Sequence, residues 1–308
     1  MSTPCGEFRL IADYLTGLDR GAGVILGNGD DAAVLALAPD EQLVVSTDLA
    51  LPGVHFPRAA PWNLAAFRAV ACAASDLAAM GARPVAMTLN LVLPDDDAGQ
   101  LAALRRGLQE AVEEMQLPLV GGDLVRGPLS LGVQVLGSVP AGLALTRSGA
   151  RVGDAVCISG VPGEGAAGLA AVQGRLPDLP AALRDHLERC FWRPAPAFAL
   201  GMALRGRATA AIDVSDGLLA DAGHLARASG VALRIAGDAL PLPARGRTFA
   251  DPDQQLRWAL SGGDDYLLCF TLPSHEELPP GCTRIGYVEA GEGVICDYQT
   301  EDRGYRHF

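Results

Sequence analysis

Lysine is missing altogether from the 308 residues; all 24 basic side chains are arginine. That absence removes every mechanism built on a primary amine: the G-x-x-x-x-G-K-[ST] phosphate loop, the strand lysine of protein kinases and the Schiff bases of pyridoxal chemistry. The base composition of a GC-rich genome accounts for the larger share of the bias itself. Its consequence stands all the same: phosphate handled by this chain must be neutralised by arginine and metal ions. Aromatic residues are few, at 5% against 49% hydrophobic residues overall, so the core must be Ala, Leu and Val in mixed helix and sheet. Long apolar runs are also lacking. The longest uncharged stretch, between Arg126 and Arg147, is broken by Pro128, Gly132, Gln134, Gly137 and Pro140, and reads as a strand with turns rather than a membrane span.

The 7 cysteines (Cys5, Cys72, Cys157, Cys190, Cys269, Cys282, Cys296) are odd in number and scattered. With no C-x-x-C pair they argue against a zinc or redox centre and fit a reducing cytoplasm. The 5 histidines, His55, His186, His224, His275 and His307, include no H-x-x-x-H pair; His186 and His224 read as helix-surface residues. Met1 to Leu10 lacks the basic-then-apolar pattern of a signal peptide, so a soluble, cytoplasmic protein is expected. A formal charge of -12 with pI near 4.8 argues against a basic face for nucleic acid or anionic membrane.

What the chain does have is aspartate beside glycine, serine or threonine at the ends of apolar runs. The groups are Gly29-Asp30-Asp31, Ser46-Thr47-Asp48, Ser75-Asp76, Gly121-Gly122-Asp123, Asp213-Val214-Ser215-Asp216 and Gly262-Gly263-Asp264-Asp265. Taken singly, an Asp next to Gly is most often a turn or a helix cap. So many in one chain shift the balance toward a site for hard cations, because carboxylates at this density repel unless they face water or share divalent metal. They are spread from Asp30 to Asp265 with no D-x-[DN]-x-[DN]-G loop, which favours magnesium and a phosphorylated ligand over calcium.

Periodicity and punctuation outline the elements. Gly6–Leu18 has helical spacing; Val34–Leu37 and Leu43–Val45 read as strands, with Pro39-Asp40 turning between them. Pro61 opens and Gly81 closes a helix with the stripe Leu64, Phe67, Val70 and Leu77. Asp76 then falls in its last turns, where the helix dipole disfavours an unpaired carboxylate. Met87–Leu93 reads as a strand, Asp97 caps a helix with the stripe Leu101, Leu104, Leu108, Val112 and Met115, and a strand at Leu117–Val120 delivers Gly121-Gly122-Asp123 from its end. Beyond a linker in Pro140–Gly153, strands at Ala155–Ser159, Ala208–Val214, Tyr266–Leu272 and Arg284–Val288 mix with helices over Gly165–Val172, Ala181–Phe191, Ala195–Leu204 and Gly217–Ser229. Each half sends aspartates out at element ends, so a site formed between two α/β layers is expected.

The acidic motifs, taken in order together with Gly53-Val54-His55-Phe56, Ser75-Asp76-Leu77-Ala78-Ala79-Met80-Gly81-Ala82, Leu145-Thr146-Arg147-Ser148-Gly149-Ala150, Asp213-Val214-Ser215-Asp216-Gly217-Leu218 and Ser261-Gly262-Gly263-Asp264-Asp265-Tyr266, closely resemble the thiamine-monophosphate kinase family. That family belongs to the superfamily of aminoimidazole ribonucleotide synthetase and selenophosphate synthetase. The resemblance runs nearly end to end, through Gly304-Tyr305-Arg306-His307-Phe308. It implies an α/β (α+β) two-domain fold of the aminoimidazole ribonucleotide synthetase type. Residues 1–145 would form an N-terminal mixed sheet with helices that binds metal and ATP and dimerises; residues 146–308 would form a C-terminal α/β layer completing the active site. ATP as co-substrate, several Mg2+ ions, thiamine monophosphate as acceptor and a homodimer follow from the same resemblance.

Carried over by position, Asp30, Ser46, Thr47, Asp48, Asp76, Asp123, Asp213 and Asp216 are the implied metal set. Gly121, Gly122, Arg147 and Ser215 are the implied ATP contacts, and His55, Asp264 and Tyr305 the implied contacts to thiamine monophosphate. No general base is expected. The acceptor is a phosphate oxygen already ionised near neutral pH, since its second pKa is about 6, and what remains is positioning and charge neutralisation.

Three departures stand out. The family usually has Glu at the position of Asp264, Glu at Leu267, and Thr-Thr at Leu124-Val125. The rival superfamily members, selenophosphate synthetase and the purine synthetase, rely on a lysine this chain lacks, and hydrogenase-maturation relatives carry a terminal cysteine where Phe308 stands. A non-catalytic nucleotide-binding protein on the same scaffold and a metal-dependent phosphatase are the readings from other classes.

Overall fold

The computed structural model describes residues 7–243, 246, 249–298, 304 and 305. Cys5 and the Arg306-His307-Phe308 end of the terminal motif lie outside the described residues. The chain divides into two compact units, Met1–Leu77 with Ala82–Gly142, and Ala78–Gly81 with Leu143–Phe308.

In the first unit, helix α1 (Glu7–Leu10) widens into a π turn over Ile11–Leu15, and β1 (Val24–Leu26) pairs with β2 (Val34–Leu35). There follow β3 (Glu41–Ala50), α2 (Trp62–Ala79), β4 (Arg83–Leu93), α3 (Ala98–Met115), β5 (Leu119–Arg126) and β6 (Ser130–Pro140). The four strands β3-β6-β4-β5 form one sheet in which β6 runs antiparallel to both neighbours and β5 parallel to β4. The start of α3 is set by Asp97, whose carboxylate accepts the Gln100 N–H at 2.8 Å, as its sequence position foretells. Glycine sets the layer spacing. A Cβ at Gly107 of α3 would lie 2.0 Å from the Asn63 carbonyl oxygen of α2, and one at Gly137 of β6 would lie 2.9 Å from Leu77 of α2. Leu131, Val133, Val135 and Val139 are buried on the sheet face beneath the helices, whereas Leu43, Val45 and Leu49 of β3 stay about half exposed on the other face.

Gly121-Gly122-Asp123 lies inside β5 rather than beyond its end, paired in register with Thr88-Leu89-Asn90 of β4. Glycine is tolerated in this strand for a steric reason. Gly122 has φ +152, and a Cβ there would sit 1.9 Å from the Leu89 carbonyl oxygen.

The second unit contains β7 (Ala155–Ser159), α4 (Glu164–Val172), α5 (Ala181–Trp192), α6 (Phe198–Leu204), β8 (Ala210–Val214), α7 (Leu218–Ser229), β9 (Ala232–Ile235), α8 (Pro252–Ser261), β10 (Leu267–Leu272), β11 (Cys282–Glu289) and β12 (Gly293–Cys296). Its sheet has the order β12-β9-β11-β7-β10-β8. β7 and β8 are buried along their whole length, the signature of strands covered on both faces. Helix α6 begins at Phe198 rather than Ala195 because Pro196 disfavours helical backbone in the residue before it. Gly230 ends α7 in the left-handed conformation, φ 67. No helix among the described residues is long and apolar enough to cross a membrane.

Candidate active site

In the first unit, strand alternation decides which acidic residues meet. Ser46 and Asp48 share the helix-covered face of β3, and the Ser46 hydroxyl donates to Asp76 Oδ2 at 2.5 Å from the last turns of α2. Asp48 keeps an exposed surface, yet enough protein surrounds its carboxyl that loss of solvent, and then the charge of Asp76, pushes it up to about 6. Two carboxylates and a hydroxyl are thus gathered at one point.

Thr47 points to the opposite, open face. Asp123 lies on that open face as well, in register with Asn90, and on the far edge of the sheet from β3. Three strand spacings, about 14 Å, separate the two edges. Within one chain the sheet therefore does not bring Asp123 to Asp48 and Asp76. Asp30 sits in the turn after β1, where its Oδ1 accepts the Asp31 N–H at 2.8 Å. That turn is tied to the start of β5 by Asn28, which donates to the Leu119 carbonyl at 2.9 Å. Gly121 has room for a side chain, with Thr88 3.8 Å from its Cβ position, whereas Gly122 has none. His55 lies in the loop after β3; its Nδ1 accepts the Leu51 N–H at 3.0 Å, which leaves Nε2 as the protonated nitrogen of the neutral ring. The His55 carbonyl is held in turn by Arg68 Nε at 3.2 Å.

The second unit brings five of the expected residues together at the end of β8. Asp213 is buried in the strand, and Ser215 and Asp216 form the turn into α7. The Gly262–Tyr266 loop lies against that turn: the Asp264 N–H donates to the Ser215 carbonyl at 2.8 Å and the Tyr266 N–H to Val214 at 2.7 Å. The Tyr305 N–H donates to the Asp216 carbonyl at 3.0 Å. Asp264 (φ 62) and Tyr266 (φ 52) both occupy the left-handed region, an uncommon conformation for residues other than glycine. The Tyr266 hydroxyl reaches toward Asp264 Oδ1 at 3.4 Å. Beside this turn a cleft of about 880 Å³ is lined by Asp216, Ala220, His224, Arg227 and Tyr305.

Arg147 is the exception. Its carbonyl accepts the Ser229 hydroxyl at 3.1 Å, at the C-terminal end of α7, so its backbone sits at the other end of that helix from Ser215 and Asp216. Leu267 opens β10 as an apolar neighbour of Val214.

Two residues organise this loop cluster in roles that the sequence does not assign. Asp221 is buried, and its Oδ2 accepts the N–H groups of Ser215, Asp216 and Gly217 at 3.0, 3.0 and 3.2 Å. Burial, then the charges of Asp213 and Asp216, push its carboxyl up to about 7, against the lowering effect of the backbone donors. Asp265 accepts the Gly163 N–H at 2.8 Å and the Gly165 N–H at 3.0 Å, fastening the loop to the start of α4; burial pushes it up to about 7 despite those bonds. An acid in the first turn of a glycine-led helix is the one signal that could have found Asp221.

Residues 29–139 match the family described as AIR synthase related protein, N-terminal domain, which defines the class of fold. Over the whole chain the likeness is narrower. The sequence is 42% identical to the thiamine-monophosphate kinase of Escherichia coli (strain K12), with 99% of this chain and 98% of that protein covered. The crystal structure of thiamine-monophosphate kinase from Stenotrophomonas maltophilia K279a superposes with a TM-score of 0.83 at 39% identity, covering 94% of this chain and 95% of that one. The complex of AaThiL with AMPPCP and TMP superposes with a TM-score of 0.82 at 31% identity, covering 98% of this chain and 97% of that one. The chain belongs to the thiamine-monophosphate kinase family.

Proposed function

We propose that this chain transfers the γ-phosphoryl group of ATP to the phosphate of thiamine monophosphate, forming thiamine diphosphate. Kinship over the full length with thiamine-monophosphate kinases carries the reading, and a relative of the same fold complexed with AMPPCP and TMP supports both substrates. An ionised phosphate oxygen attacks, the terminal bond of ATP breaks and ADP leaves, so no side chain has to take a proton. The chain's task is to hold two anionic groups in line.

The proposed metal set is Asp30, Ser46, Thr47, Asp48, Asp76, Asp123, Asp213 and Asp216, in separate groups: Ser46, Asp48 and Asp76 on one face of the first unit's sheet, Thr47 and Asp123 on the other, Asp30 in the turn after β1, and Asp213 and Asp216 in the second unit. The donor chemistry of Ser46, Asp48 and Asp76 fits Mg2+: hard oxygens, two of them carboxylates close enough for one to raise the other. When bound, Mg2+ neutralises the phosphate oxygens that otherwise repel the acceptor. Gly121, Gly122, Arg147 and Ser215 are assigned to ATP. For Gly122 the support is its bare backbone; for Arg147 it is an exposed cation in a chain without lysine. His55, Asp264 and Tyr305 are assigned to thiamine monophosphate. His55 can offer Nε2–H to phosphate, and Tyr305, 50% exposed, can lie on the cationic thiazolium, a contact worth about 0.5–2 kcal/mol. Homodimerisation is part of the proposal. The edge strand β3, with Leu43, Val45 and Leu49 exposed on its open face, supports it.

Purified protein incubated with ATP, Mg2+ and thiamine monophosphate should form thiamine diphosphate in step with ADP. ATP binding without product would leave a nucleotide-binding module; phosphate released from thiamine monophosphate without ATP would mark a phosphatase.

A further inference from the structure

Outside the aspartate clusters, the second unit gathers a different set of ligating atoms. His186 and Cys190 are four residues apart on α5, which puts them on one face of that helix. Glu164 begins α4. The two helices are packed so closely that a Cβ at Gly168 of α4 would stand 2.2 Å from the Leu187 carbonyl oxygen of α5. Glu164 is thereby laid across His186 and Cys190. Glu164 Oε1 is 3.0 Å from His186 Nε2, Glu164 Oε2 is 3.6 Å from Cys190 Sγ, and Cys190 Sγ is 3.7 Å from His186 Nε2.

These separations have a geometric meaning. Zinc bonds of about 2.0–2.1 Å to nitrogen and oxygen and about 2.3 Å to sulfur, at tetrahedral angles, place N and O ligands about 3.3 Å apart and S about 3.6 Å from either. The Nε2···Oε1 and Sγ···Nε2 edges fall within about 0.3 Å of that triangle; the carboxylate turns Oε1 to His186 and Oε2 to Cys190, and one ligand atom from each of the three residues lies within 4.8 Å of the other two. A hydroxyl-and-carboxylate site for magnesium contains neither sulfur nor imidazole, so this trio selects a softer ion than the aspartate clusters do.

We propose that Glu164, His186 and Cys190 form a site for Zn2+ or a similar borderline divalent metal, with the fourth tetrahedral position open to water or a small ligand. Loading sends the Cys190 thiol proton to solvent and moves the imidazole proton from Nε2 to Nδ1, leaving three donor atoms for the ion. Glu164 stands between Gly163 and Gly165, whose N–H groups hold Asp265, so the bound ion ties α5 and the start of α4 to the loop that carries Asp264. The site stands apart from the kinase reading and survives its failure.

Cobalt is the probe. Titrated into the full chain with Mg2+ in excess to fill hard-oxygen sites, one equivalent of Co2+ should give an intense tetrahedral spectrum with a thiolate-to-cobalt charge-transfer band, bleached by one equivalent of Zn2+. Cys190→Ser should lose the charge-transfer band, His186→Gln should weaken Co2+ binding about tenfold or more, and Cys282→Ser should change neither. Metal-free melting curves that match the parent establish that the variants are folded. If the parent shows no such band, or if Cys190→Ser and His186→Gln both retain it, the three side chains are only an ion pair with a thiol beside it and the proposal falls.

Discussion

Asp76 in the first unit takes the Ser46 hydroxyl and faces Asp48, whereas Asp221 in the second collects the N–H groups of three consecutive residues, Ser215 to Gly217. Both places hold crowded carboxylates, and in both a carboxyl is pushed well above the ordinary carboxylate range. The difference lies in what offsets the crowding. Backbone donors bound to a buried side chain make it part of the fold; Asp76 takes the Ser46 hydroxyl, and its charge still acts against Asp48. Backbone donors thus set Asp221 apart from Asp76, the acid to which the proposed function gives a cation.

The largest effect should come from the first unit. Asp76→Ala should lower thiamine diphosphate formation by about a hundredfold or more. Its melting temperature should hold or rise, because Asp48 loses a repelling neighbour; wild-type turnover would place the cation elsewhere. Asp221→Ala should do the reverse in kind. Three buried N–H groups lose their acceptor, and denaturant unfolding should show a loss of about 3 kcal/mol; an unchanged midpoint would break the comparison. Next comes Gly122→Ala, which forces a methyl against the Leu89 carbonyl and should cost about 2 kcal/mol, while Gly121→Ala should stay within about 0.5 kcal/mol, both read by thermal melts.

The smallest effect concerns pH. Asp265 is raised from 3.8 to about 7, so the folded state holds this proton longer than the unfolded chain does. Its contribution to stability is complete below 3.8 and is lost as pH rises toward about 7. Asp265→Asn, neutral throughout, should flatten the fall in unfolding free energy across that window.

Much of the fold was legible because its signals are local. Asp97 and the Leu101-to-Met115 stripe define α3 without tertiary help, and Pro61 and Gly81 bracket α2. β9, α8 and β12 went unread. Asp251 caps α8 ahead of Pro252, but the apolar stripe behind them is thin, and β9 and β12 are four-residue strands whose pairing partners are distant in sequence. The placement of Gly121-Gly122-Asp123 within β5 depends on the neighbouring Leu89 carbonyl, which no local pattern reveals. Within the site, the separation of Thr47 from Ser46 and Asp48 was available from strand parity alone. The roles of Asp221 and Asp265 were not, since each is defined by amides on a loop it closes from elsewhere.

That closure by Asp221 has a bearing on what can dock at the turn. Successive amides in a bend are a ready cradle for a bare phosphate, but here the Asp221 carboxyl already fills the cradle, with Asp213 and Asp216 close enough to act on its charge. A bare phosphate approaching this turn finds its amides taken and two carboxylates beside them. What the turn offers a visitor is carboxylate oxygen rather than open backbone N–H.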